Sequence, residues 1–124
     1  MAKRVLIAED DQDVRLMLYR LFKDRGYEVT TAKDGRDAMR CLREEGFPDV
    51  LIADHNMPGM TGLEVIQEVR KRDPDNNVKI ILATATHMRT ADDTRKAQGL
   101  ADLMLAKPFD YDRLTQLIDR LMES

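Results

Sequence analysis

Two hydrophobic rhythms alternate along this chain. Val5-Leu6-Ile7-Ala8, Val50-Leu51-Ile52-Ala53 and most of 78–83 are short apolar runs. Such runs predict parallel strands covered on both faces. Between them the spacing lengthens to three or four residues: Val14, Met17, Leu18, Leu21 and Phe22 mark one helical stripe, with Gly26 as its stop. Ala38, Cys41 and Leu42 follow Asp34-Gly35 and mark a second helix, and Val65, Ile66 and Val69 a third. Thr61-Gly62-Leu63-Glu64 has the capping-box pattern that starts a helix. Leu114, Leu117, Ile118 and Leu121 form a last stripe with Asp110 as N-cap, while 91–98 predicts a fourth helix with a weak apolar face.

Residues 28–32 and 103–106 supply two shorter strands. Strand then helix, five times over, predicts an α/β fold: a doubly wound parallel sheet of five strands with helices on both sides. The 124 residues contain no internal repeat or linker composition, so one domain spanning 1–124 is expected.

Charge narrows the function classes. Lys+Arg 20 against Asp+Glu 23 gives a net charge of -3, which offers no positive field for a nucleic-acid backbone. Direct DNA binding by this segment is not expected. Cys41 is the single cysteine; it predicts a small core residue and fits a reducing compartment. The run at 5–8 is stopped by Glu9-Asp10-Asp11 before it reaches signal-peptide length, and no other run approaches the ~20 residues of a membrane span. A cytoplasmic chain without a membrane partner is expected.

The predicted strand ends concentrate polar chemistry. Glu9 and Asp10 follow the first strand, Asp54 the third, Thr84 the fourth and Lys107 the fifth. In an open α/β sheet, ligands bind beyond these carboxyl ends. Each residue alone has an ordinary structural role: Glu9, Asp10 and Asp11 can cap a helix, Thr84 can cap a loop, and Lys107 can be a solvated surface charge. Together they change the reading. Two carboxylates ~4 Å apart repel by about 4 kcal/mol at an effective dielectric near 20, so a gathered trio calls for a counter-charge. Oxygen donors without a paired His or Cys favour Mg²⁺ or Mn²⁺ over Zn²⁺, and a hydrated Mg²⁺ exchanges water for phosphate oxygens.

Five features in this order resemble the response-regulator receiver family of two-component signalling. They are Glu9-Asp10, the run from Asp54 through His55-Asn56-Met57-Pro58-Gly59-Met60-Thr61 to Gly62, Thr84-Ala85, Lys107-Pro108-Phe109, and their spacing. The resemblance implies a flavodoxin-like (βα)5 fold with strand order 2-1-3-4-5 and a cis peptide at Lys107-Pro108. It implies a signalling domain, catalysing only its own phosphorylation and dephosphorylation. Asp54 is then the phosphoacceptor for a sensor histidine kinase or phosphotransfer protein. Mg²⁺ is held by Asp10, Asp54 and the Asn56 carbonyl, with Glu9 acting through water. Thr84 and Lys107 contact phosphoryl oxygens, and the switched surface meets an output protein or fused effector domain. A receiver module of a longer DNA-binding regulator or hybrid kinase is the alternative context.

Two features qualify the resemblance. Many receivers carry Tyr or Phe where this chain has Met104, which removes an aromatic rotamer switch. By the same resemblance Asn56 and Thr86 flank the attack path of water and are expected to tune the lifetime of the phosphoryl group. His55 and His87, lacking a second His or Cys at ligand spacing, are expected as exposed loop side chains. Met17, Met39 and Met122 are expected in the core or on a partner face.

Rival chemistries lack parts. A dehalogenase-type phosphatase wants an acid two residues after its nucleophile, and Asn56 stands there. A flavin carrier wants a hydroxyl- and glycine-rich phosphate loop after the first strand, where Glu9-Asp10-Asp11 would repel phosphate.

Overall fold

Alternation within each strand sorts the apolar residues onto two sides of one sheet. In the computed structural model, which describes residues 2–85 and 88–123, the elements are β1 (Arg4–Ala8), α1 (Gln12–Asp24), β2 (Glu28–Ala32), α2 (Gly35–Glu45), β3 (Val50–Asp54), α3 (Gly62–Arg72), β4 (Lys79–Thr84), α4 (Ala91–Leu100), β5 (Leu103–Ala106) and α5 (Tyr111–Glu123). All strand pairs are parallel, in the order β2-β1-β3-β4-β5. The α/β class and the strand order both match the expectation.

On one side Leu6, Leu51, Ile80 and Leu82 pack with Leu42 of α2 and Ile66 of α3. On the other, Ile7, Ile52 and Ile81 pack with Leu18 and Phe22 of α1 and Leu114 and Ile118 of α5. Each such side chain, fully buried, contributes roughly 1.5–3 kcal/mol of transfer free energy, so this two-sided core is the main favourable term of the fold. β3 is buried along its whole length, whereas the edge strands β2 and β5 are partly exposed.

The chain reverses direction across the sheet between β1 and β3. β2 is laid outside β1 and β3 inside it, which opens a crevice at their carboxyl ends. Local signals fix the approach to that crevice. Asp11 caps α1 by accepting the Asp13 and Val14 amides, Asp34 caps α2, and Thr61 with Glu64 closes the expected capping box on α3. Asp110 accepts the Arg113 amide at 3.2 Å at the start of α5.

Several boundaries shift for visible reasons. β4 starts at Lys79 rather than at 78, because the Val78 amide donates to the buried Asp73 carboxylate at 2.9 Å. α4 extends to Leu100, whose carbonyl accepts from the Arg70 Nε at 3.0 Å; Ala97 alone of the α4 residues is buried. Met17 departs from the expected stripe. It is 45% exposed, while Met39 and Cys41 are buried as expected. Lys107-Pro108 is cis.

Candidate functional site

The crevice between β1 and β3 holds two buried carboxylates under one ammonium. Glu9 is 2% exposed and Asp54 4%. The β1–β2 ladder continues one residue past β1, the Glu9 amide donating to the Ala32 carbonyl at 3.0 Å. Lys107 arrives from β5, and its Nζ lies 2.5 Å from Glu9 Oε1 and 3.1 Å from Asp54 Oδ2. The sequence left open a solvated role for Lys107. Instead its side chain is 15% exposed and committed to both acids.

Asp54 is held at its other oxygen too: Oδ1 accepts the Asn56 amide at 3.1 Å. The Asn56 side chain donates from Nδ2 to Thr84 Oγ1 at 3.4 Å, which links the ends of β3 and β4. Asp10 is exposed and stands at the mouth. Glu9, Asp10 and Asp54 each offer a ligand oxygen, all within 4.8 Å of one another. The structure thus brings Glu9, Asp10, Asp54, Asn56, Thr84 and Lys107 to one edge of the sheet.

Burial pushes the Glu9 carboxyl up to about 7. The Lys107 hydrogen bond pulls it down, and Asp54 pushes it further up. For Lys107, burial favours the neutral amine, but hydrogen bonds to Glu9 and Asp54 outweigh that and leave its pKa raised. The ammonium is thus the present counter-charge of the cluster. An all-oxygen donor set of this density fits a hard divalent cation such as Mg²⁺.

Three sets of contacts were not read from the sequence. Arg15 Nη1 donates to the Glu9 carbonyl at 2.9 Å and to that of Asp10 at 3.4 Å, holding the acidic turn from α1. Gly62 is required by close approach: a Cβ there would meet the Asp54 carbonyl oxygen at 2.5 Å and His55 Cα at 2.8 Å. His55 is half-buried rather than exposed, and its Nδ1 accepts the Leu63 amide at 3.4 Å. A signal for Arg15 was its place one turn after Asp11; nothing in the sequence signalled the His55 contact. Met104 is half-buried and packs against the core on the α2, α3 and α4 side. Thr86 and His87 lie outside the described residues.

Comparison with known proteins agrees with this geometry. Residues 5–119 match the response regulator receiver domain. The chain is 35% identical to the DNA-binding transcriptional regulator NtrC of Klebsiella pneumoniae over 92% of its own length and 24% of that protein. It is 29% identical to sporulation initiation phosphotransferase F of Bacillus subtilis, covering 98% of the chain and 95% of the relative. A solved structure of the response regulator TrrA from Thermotoga maritima, in complex with Mg(2+)-BeF, superposes with a TM-score of 0.80 at 36% identity, covering 96% of this chain and 98% of that one. Among the transcriptional regulators it matches, the chain spans 47% of one and 24% of another, so about half to a quarter of their lengths. By fold, by the arrangement of its acids and lysine, and by this match along most of its length, the chain belongs to the response regulator receiver domain family.

Proposed function

We propose that residues 1–124 work as one receiver domain in which Asp54 accepts a phosphoryl group from the phosphohistidine of a sensor kinase or phosphotransfer protein. The observation that carries this reading is the setting of Asp54: 4% exposed, anchored at both oxygens by Lys107 and the Asn56 amide, and within ligand distance of Glu9 and Asp10. A carboxylate oxygen of Asp54 attacks phosphorus, an O–P bond forms, and the N–P bond breaks with its electron pair returning to the imidazole. The positive charge of Lys107 and the hydroxyl of Thr84 receive phosphoryl oxygens at the ends of β5 and β4. This is catalysis by positioning and charge neutralisation.

The Asp10 and Asp54 carboxylates and the Asn56 carbonyl would hold Mg²⁺, with Glu9 acting through water. When bound, the ion supplies charge neutralisation for the acids and the incoming phosphoryl group. The Mg(2+)-BeF complex of the TrrA structure supports this choice of ion. The domain acts as a signalling element in the cytoplasm and not as an enzyme on other substrates. Its changed surface would meet an output protein or a fused effector.

A second context has support of its own: among relatives longer than this chain is a DNA-binding transcriptional regulator. In that context DNA contact belongs to another segment, since this one carries a net charge of -3. The test of the function is a phosphate-affinity gel after incubation with acetyl phosphate. A slowed band in Mg²⁺ that disappears with chelator is expected; a chelator-resistant band contradicts Mg²⁺-dependent transfer.

A further inference from the structure

The first turn of any α-helix has amide donors with no acceptor inside the helix. In α3 the capping box takes two of the nearby donors: the Glu64 amide donates to Thr61 Oγ1 at 3.2 Å, and the Thr61 amide to Glu64 Oε1 at 3.0 Å. The remaining two both go to one residue. Gly62 N–H donates to the His55 carbonyl at 3.1 Å, and Leu63 N–H donates to His55 Nδ1 at 3.4 Å. The His55 amide in turn donates to the Ala83 carbonyl at 2.7 Å, and its carbonyl also accepts the Met57 amide at 3.1 Å.

His55 therefore joins the end of β3, the neighbouring β4 and the first turn of α3. The segment closed between its contacts contains Asn56, whose amide holds Asp54 Oδ1. We infer that His55 is a positioning residue for the phosphoacceptor site: by accepting the Leu63 amide, its ring fixes the start of α3 against β3 and so holds the Asn56 main chain beside Asp54. The inference rests on the function proposed above, because it concerns the carbonyl assigned there to Mg²⁺.

The chemistry requires an acceptor at this position, not merely bulk. Nδ1 accepts as an unprotonated nitrogen, which puts the ring proton on Nε2. Leu63 is buried, so its amide has poor access to replacement water if that acceptor is lost. Leucine at position 55 keeps the volume and removes the acceptor. Asparagine restores an acceptor, because its Oδ1 stands about as far along the side chain as Nδ1.

The experiment compares the wild type with His55→Leu, His55→Ala and His55→Asn by two readouts that need no phosphodonor. One is hydrogen exchange of the Leu63 amide by NMR, and the other is Mg²⁺ affinity by calorimetry. Leu and Ala should speed Leu63 exchange and weaken Mg²⁺ binding roughly five-fold, the worth of one ordinary hydrogen bond, while Asn should return both to within about two-fold of wild type. Leu and Ala variants with wild-type Mg²⁺ affinity would overturn the inference, as would unchanged Leu63 exchange. If the wild type itself binds no Mg²⁺, the proposed function fails instead, and the exchange measurement still reports separately on the His55 contact.

Discussion

Lys107 Nζ sits between Glu9 and Asp54, 2.5 Å from an oxygen of the first and 3.1 Å from an oxygen of the second. One cation thus compensates two carboxylates that are almost without solvent. Removing it strands both. Lys107→Ala should lower the stability of the metal-free protein by about 1–3 kcal/mol, the penalty for leaving buried polar groups unsatisfied, and more if both acids stay charged. Urea denaturation in chelator measures this. An unchanged midpoint would mean that the pair contributes nothing to the fold.

Asp10 should behave in the opposite sense. It is exposed at the mouth of the cluster, and its charge lies close to two like charges. Asp10→Asn should weaken Mg²⁺ binding while raising the melting temperature of the metal-free protein, because one repelling charge is gone. A lowered melting temperature with unchanged Mg²⁺ affinity would contradict the cluster as described.

Most of the fold was legible because the two rhythms of the sequence each answer to a physical constraint. Unbroken runs such as 50–53 arise where a strand is covered on both faces, and the 14–22 stripe where a helix covers one side. The site was legible as residue types at strand ends, since parallel strands deliver their ends to one edge. What the sequence did not carry was contact at a distance. Arg15 reaching back to two carbonyls, Gly62 admitting the backbone of Asp54, and the His55 ring on Leu63 all depend on loop paths that periodicity does not encode. Met17 matched the helical spacing yet faces solvent, because spacing defines a stripe only to within one position at its edge.

A pH-dependent contribution to stability is expected at the start of α2. Asp37 accepts from Arg40 and from the Lys33 amide, and the Arg40 hydrogen bond, opposed by partial burial, holds its carboxyl below the usual value. A lowered folded-state pKa adds stability that is complete above the unfolded value of ~3.9 and is lost as pH falls through the folded value. Asp37→Asn should therefore lower the denaturation midpoint at neutral pH, with the difference closing in strong acid. A difference that persists undiminished in acid would rule out this charge as its source.

Signal output should be gradual. If a phosphoryl group on Asp54 draws Thr84 and Lys107 inward, the neighbouring strand offers half-buried Met104, rather than an aromatic ring, to fill the space left behind Thr84. A flexible unbranched side chain refills such space in several rotamers at similar cost, so the phosphoryl group biases two arrangements weakly. NMR shifts of β5 and α5 amides should move part of the way with beryllofluoride and complete the change only with a bound partner. A full jump without partner, unaltered by Met104→Ala, would contradict a softened switch.

The central claim, that the buried carboxylate of Asp54 is the phosphoacceptor, is tested most directly by intact-mass measurement after incubation with Mg²⁺ and acetyl phosphate. Wild type should gain the mass of one phosphoryl group, and Asp54→Asn should gain none while retaining its fold. Equal labelling of the Asn variant would contradict the account and move the acceptor to another residue.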